Sequence, residues 1–395
     1  MFTGRYPHNN GVLGLTHSLF AWELNATERH LAQLLKDAGF RTASVGVLHE
    51  TQQSAASWGY ERRIDRREAT ATAVEVCDET IEVLREFAAA PDNRFFVCAG
   101  CYEPHRLEGI NEQGYLGFVG DYLQPDSDYG VYVPPYLRND AGTITELAEL
   151  QGAITHLDMQ FGRVLDAVDE LGLRHNTLVI FTTDHGIAMP RAKCSCYDPG
   201  LEISFILRLP ARPGWYGGRL LEELIPNIDL TPSLCDLAGA DPPDNLQGRS
   251  WVPLLDGDAS YRPNEEFFPE LTYHDYYDPM RGIRTNDYKL LAFFSSAHSF
   301  MPPNQSWVRR SSPKTPENPS LSYHPEFELY DLRSDRWEQE NVVDHPAYDE
   351  IKRTLMSRLW HHLTTTEDPI VNGAVTAPMH RNVLRQLKAV RPTPE

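Results

Sequence analysis

The sequence predicts an α/β fold: a mostly parallel central sheet flanked by helices over residues 1–258, with a smaller α+β domain over 259–395. Three observations predict it. Amphipathic helical stretches alternate with short apolar runs, the pattern of strand–helix units that build a parallel sheet. The runs are continuously apolar, as strands covered on both faces are. After about Leu255 the texture changes to aromatic and β-forming residues, then a Ser/Pro-rich stretch, then a closing helix.

Residues 28–38 read as the first helix. Asn25 and Glu28 have capping-box spacing, Leu31, Leu34 and Leu35 form its apolar face, and Gly39 stops it. Residues 41–46 read as a short strand leading to His49. A second amphipathic helix covers about 71–87 and feeds a strand at 94–100, Arg-Phe-Phe-Val-Cys-Ala-Gly. In the next helix Thr143 and Glu146 form a capping box. Ile144, Leu147, Leu150, Ile154, Leu157, Phe161, Val164, Val168 and Leu171 share a face, and Gly172 ends it. A buried strand at 178–183 runs into Asp184-His185-Gly186, and another at 203–209 ends at Pro210. Past the boundary near 258, residues 266–291 are β-rich and 295–322 read as a long surface loop. The last helix carries the stripe Ile351, Leu355, Leu359 and Leu363.

Composition excludes several classes. Hydrophobic residues make up 41%, enough for a large core, which rules out wholesale disorder. Acidic residues number 56 against 36 Lys and Arg, a net charge of −20, whereas a nucleic-acid partner needs basic clusters. No apolar run reaches the ~18 residues of a membrane span. Six cysteines are too few for a disulfide scaffold. No basic and apolar leader segment opens the chain, so it carries no signal peptide; taken literally that points to the cytoplasm.

The chemistry-bearing residues fall where strands give way to loops, the place where open α/β sheets bind ligands. Asp184 and His185 stand side by side at the end of a predicted strand, and both can face one metal ion; an ordinary strand-to-loop turn uses the same residues. His49 follows the strand at 41–46, His105 follows the strand at 94–100, and Lys193 lies a few residues past the Asp-His pair. Imidazoles move protons near neutral pH and a lysine offers a point charge to an anion. Cys98 with Cys101, and Cys194 with Cys196, read as buried free thiols or as a structural zinc site. Tyr273, His274, Tyr276, Tyr277 and Arg281 cluster at the start of the small domain. Aromatics there can stack on a sugar and Arg281 can meet a sulfate or carboxylate, or the group simply packs the two domains together.

These motifs resemble the sulfatase family of the alkaline phosphatase superfamily. Thr3-Gly-Arg-Tyr-Pro-His-Asn-Asn-Gly11 resembles the segment after the family's signature Cys-x-Pro-Ser-Arg. Leu178-Val-Ile-Phe-Thr-Thr-Asp-His-Gly186 resembles its second metal-binding stretch, and Glu326-Phe-Glu-Leu-Tyr-Asp-Leu332 its C-terminal motif. The likeness covers the chain except for 295–322. Within the family, Glu103-Pro-His-Arg106, Val133-Pro-Pro-Tyr136, Asp184-His-Gly-Ile-Ala-Met-Pro190, Glu270-Leu-Thr-Tyr273 and Asp278-Pro-Met-Arg281 are closest to the sulfamidase (N-sulfoglucosamine sulfohydrolase)-like branch.

The resemblance implies an alkaline phosphatase-like fold and metal-assisted displacement at sulfur on a sulfated small molecule or glycan. Asp184 and His185 would bind one divalent ion, calcium in most relatives, although a histidine suits a more borderline metal. His49 would bond the nucleophile's hydroxyl, His105 would face sulfate as the acid for the leaving group, and Lys193 would bind sulfate oxygens. His274 and Arg281 would contact the substrate. Two departures stand out. The family's Gly-Lys-x-His is here Gly46-Val47-Leu48-His49, so one cation is missing; such a loss costs ~10²–10³ in rate. The formylglycine-forming Cys/Ser-x-Pro-Ser-Arg, and the strand with paired aspartates before it, are absent; both are expected upstream of Met1. One reading makes Met1 an internal methionine of a longer sulfatase, in which case a periplasmic or secreted location is open. A second makes the chain a catalytically dead, glycan-binding relative with open sheet edges and poor solubility. A third makes it a phosphonate or phosphodiester hydrolase, since such enzymes use an Asp-His metal pair. In each case the net charge requires any sulfate to be held locally, by a metal, Lys193 and histidines.

Overall fold

The computed structural model describes the chain except residues 17–19, 52–54, 67–69, 91–93, 108–111, 113, 119–122, 275, 298–308, 312–322 and 390–395. Most of the Ser/Pro-rich stretch 295–322 therefore lies outside the described residues. The elements run α1 (Pro7–Asn10), α2 (Leu31–Asp37), β1 (Phe40–Gly46), β2 (Arg62–Asp65), α3 (Ala73–Ala88), β3 (Arg94–Gly100), α4 (Ala141–Glu170), β4 (Val179–Thr182), α5 (Asp198–Leu201), β5 (Phe205–Arg208), α6 (Leu230–Ala238) and α7 (Val252–Leu255). They continue with β6 (Glu266–Phe267), β7 (Glu270–Tyr273), β8 (Tyr277–Thr285), β9 (Tyr288–Phe293), β10 (Phe327–Asp331), α8 (Asp349–Thr365) and α9 (Pro378–Ala389).

Strands β2, β1 and β3 form a parallel sheet in that order, with β1 and β3 paired from Phe40↔Arg94 to Gly46↔Gly100. Parallel pairing brings the carboxyl ends of β1 and β3, and so the approaches to His49 and His105, to one edge. Helix α3 lies on this sheet, burying Val76, Val83 and Phe87 against Ala43, Val45 and Tyr102. Strands β4 and β5 pair antiparallel, Val179↔Arg208 to Thr182↔Phe205. After β4 the chain loops through α5 and returns antiparallel beside it.

Helix α4 does not use the Thr143–Glu146 capping box. Asp140 is the N-cap and accepts from the Thr143 amide at 3.0 Å, while Glu146 points into the protein. Leu147, Leu150 and Ala153 pack with Phe118, Tyr136, Met189 and Ala192, so α4 supports the loop after β4. Ile144 and Ile154, expected on the same face, are 41% and 45% exposed. The first long helix also starts later than expected. His30 caps α2, its Nδ1 accepting from the Ala32 amide at 3.1 Å, and Gln33 returns the bond to His30.

The C-terminal part is an antiparallel sheet, β10-β9-β8-β6 with β7 beside β8. Helix α8 covers it through Leu355, Leu359 and Leu363, the predicted stripe, against Ile283, Leu290 and Leu329. No described helix is long and apolar enough to cross a membrane.

Candidate active site

His105 and Lys193 meet. Lys193 Nζ lies 2.9 Å from His105 Nε2, and His105 Nδ1 lies 2.7 Å from the Arg106 carbonyl. A carbonyl only accepts, so Nδ1 carries the proton and Nε2 presents its lone pair to the lysine ammonium. The pair thus consists of a neutral imidazole and a charged amine. The turn that presents Lys193 is held between Arg191 and Cys194, both with φ of 63°.

Asp184 and His185 follow β4 directly. The Asp184 side chain is 84% exposed, and its Oδ2 lies 3.6 Å from His185 Nε2. His185 Nδ1 donates to the Gly186 carbonyl at 2.7 Å, so Nε2 is the lone-pair nitrogen, on the side of the carboxylate. Burial lowers the His185 pKa, Asp184 opposes that, and the positive charges available at Lys193 and His274 deepen it. A neutral imidazole and a carboxylate this close fit two ligands of one cation. Gly186 has a steric reason: a Cβ there would lie 1.9 Å from the Pro199 carbonyl oxygen.

His49 sits three residues past β1, its carbonyl accepting from Thr16 Oγ1 at 2.7 Å. His274 lines a small cavity with Cys194, Leu271, Tyr276 and Asp278, which places it beside the Lys193 turn. Tyr273 and Tyr277 serve packing: their rings lie 4.9 Å apart, Tyr273 Oη donates to the Val375 carbonyl at 2.7 Å, and the Val375 amide donates to Tyr277 Oη at 3.1 Å.

Arg281 corrects a sequence expectation. It is 1% exposed and all five of its N–H groups are taken. Nε and Nη2 donate to Asp368 at 2.5 and 3.2 Å, Nη2 also to Thr272 Oγ1 at 3.0 Å, and Nη1 to the Leu271 and Met280 carbonyls at 2.7 and 3.0 Å. No N–H remains to meet a substrate. Around it gather His8, Glu270 and Asp368, the one group of three metal-competent donors found among the described residues. His8 Nδ1 bonds Glu270 Oε2, and Asp368 Oδ2 is 3.6 Å away. Arg281 offsets one carboxylate charge through its paired bonds to Asp368, and His8 bonds Glu270, so the group reads as a buried charge network. Residues 8, 270, 281 and 368 are too far apart in sequence for any local pattern to reveal it.

The six cysteines are free thiols, and no three-donor group among the described residues includes one. Burial pushes the Cys196 thiol up to about 12.

Comparisons with known proteins match the sequence to a family. The profile described as "Sulfatase" covers residues 1–240, and "N-sulphoglucosamine sulphohydrolase, C-terminal" covers residues 191–301. The chain belongs to the sulfatase family. Among its relatives, N-sulphoglucosamine sulphohydrolase of Homo sapiens is 24% identical over 413 residues, spanning 94% of this chain and 80% of that protein. The fold is shared with a 2-O GAG sulfatase (TM-score 0.67, 19% identity, 96% of this chain and 84% of that one). It is also shared with a phosphonate monoester hydrolase from Silicibacter pomeroyi (TM-score 0.62, 19% identity, 93% and 85%).

Proposed function

We propose that the chain is a sulfatase-type hydrolase acting on a sulfate ester or sulfamate of a sulfated sugar. The observation that carries this is the 2.9 Å contact of Lys193 with His105, beside Asp184 and His185. A sulfuryl group entering there meets an ammonium, an imidazole and a cation site, the charges that oppose the negative charge developing in displacement at sulfur. The human relative's name, N-sulphoglucosamine sulphohydrolase, supports a sulfated amino sugar as the substrate class.

Asp184 and His185 would hold one divalent ion, with Ca2+ the family's choice and a Lewis acid on the sulfuryl oxygens its contribution. Lys193 binds a sulfuryl oxygen. When Lys193 turns to the anion, His105 Nε2 takes up a proton from solvent and passes it to the leaving-group atom as that atom's bond to sulfur breaks. His49 steadies the nucleophile and His274 borders the sugar. Val47, where relatives have lysine, leaves Lys193 with a larger share of the charge.

The test has two arms. Calorimetry on the chain with N-sulfoglucosamine and Ca2+ should show binding that K193M weakens about tenfold, the weight of one charge-assisted hydrogen bond. The second arm assays sulfate release from the same sugar, which K193M should slow about tenfold. Hydrolysis of phenyl phosphonate with no sulfate release would favour the second reading, a phosphonate monoester hydrolase, which the Asp-His pair also suits.

A further inference from the structure

Arg106 follows His105 directly and is 1% exposed. Its guanidinium is divided among three parts of the fold. Nε donates to the Ala188 carbonyl at 2.9 Å, in the loop that carries Asp184 and Lys193. Nη1 donates to the Leu116 carbonyl at 2.8 Å and to Glu146 Oε1 at 3.2 Å. Nη2 donates to Glu146 Oε2 at 2.9 Å and to Met189 Sδ at 3.5 Å. Its backbone carbonyl accepts from Tyr102 Oη at 2.5 Å and from His105 Nδ1 at 2.7 Å.

We propose that Arg106 is the positioning residue of the His105–Lys193 pair: its guanidinium sets the spacing of the two loops, and its carbonyl holds His105 in the Nδ1–H form. This rests on the reading of His105 and Lys193 as the sulfate-handling pair. Glu146 is the fixed post. It is fully buried, it sits in the first turns of α4, and it also accepts from the Arg310 amide at 2.6 Å. Ala188 is the other end, in a loop that packs on α4 through Met189 and Ala192. An apolar pair of the same bulk would hold such a core about as well as a buried ion pair does. What it would not supply is the fork that reaches Ala188. With the fork gone, the two loops lose their common reference, only the Tyr102 hydroxyl is left to set the direction of the carbonyl, and either His105 nitrogen can carry the proton.

The test uses the full chain, ¹⁵N-labelled at histidine, as wild type, R106K, R106M/E146L and K193M. Ring-nitrogen spectra read the His105 tautomer, and calorimetry reads the affinity for inorganic sulfate. Wild type should show the Nδ1–H form alone. R106M/E146L, which keeps the core filled, should show both tautomers and bind sulfate about tenfold more weakly. R106K, which keeps a cation for Glu146 but not the fork, should fall between them and covers the case in which the double variant does not fold. K193M should weaken sulfate while leaving the tautomer pure. A pure Nδ1–H signal and wild-type affinity in folded R106M/E146L and R106K would overturn the positioning role. Unchanged affinity in K193M would instead overturn the site reading, and the ring-nitrogen signals alone would then decide the role of Arg106.

Discussion

Lys193 is presented by a turn in which two non-glycine residues, Arg191 and Cys194, have φ of 63°. Such conformations cost of order 1–3 kcal/mol each and persist where surrounding structure over-determines them. The surroundings here are named: the Arg191 guanidinium lies 4.1 Å over the Tyr197 ring, donates to Tyr330 Oη at 3.3 Å, and bonds the Glu338 carbonyl. The turn is therefore held by the C-terminal sheet. At the same scale, His30 offers a clean pH experiment. Burial depresses its pKa to about 3, and its neutral Nδ1 is the acceptor that caps α2. Between that value and the unfolded pKa near 6.5, the unfolded chain binds a proton that the native state refuses. Stability is therefore lost as pH falls, by about 1.4 kcal/mol per pH unit for this group. His30→Asn keeps an N-cap acceptor and removes the titration. Urea unfolding between pH 6 and pH 4 should give a shallower slope by about that amount, and an identical slope would rule the histidine out.

At the scale of elements, α4 does more than its periodicity indicates. Its apolar side, Leu147, Leu150 and Ala153, supports the loop after β4, and its first turns deliver Glu146 to Arg106. Leu150→Ala should cost about 2–5 kcal/mol, the range for truncating a core leucine, measured by urea unfolding. Because Met189 and Ala192 share that cluster, sulfate affinity should fall together with stability in this variant. The β4–β5 pair shows why strand direction escaped the sequence. A continuously apolar run reports burial on both faces and says nothing of which way its neighbour runs.

Across the whole molecule, Arg281 ties the N-terminal segment to the C-terminal sheet and the turn after α8. Glu270 lies on β7, Asp368 caps the Ile370 amide at 2.9 Å, and His8 reaches them from α1. Arg281→Met would leave two buried carboxylates facing only His8. Such a loss is expected to cost about 3–5 kcal/mol, read by urea unfolding and by faster proteolysis at residues 366–378. A variant as stable and as protease-resistant as the parent would show that the network is not what joins these parts. The net charge of −20 belongs to this scale as well: the cations that matter for a sulfate are local ones, and several of the buried arginines are spent on structure.

By itself the sequence determined the α/β class, the strand ends at which His105, Asp184 and His185 emerge, the stripe of α8 and the family likeness, because periodicity and short motifs are local signals of burial and turn chemistry. Only the tertiary structure decided partners. Glu146 has capping-box spacing and is an ion-pair post; Arg281 has the look of a substrate ligand and is fully engaged internally; Gly186 reads as a turn glycine and is required by the Pro199 carbonyl. In each case the deciding neighbour is distant in sequence, and a buried charge or a missing side chain takes its meaning from what the fold sets against it.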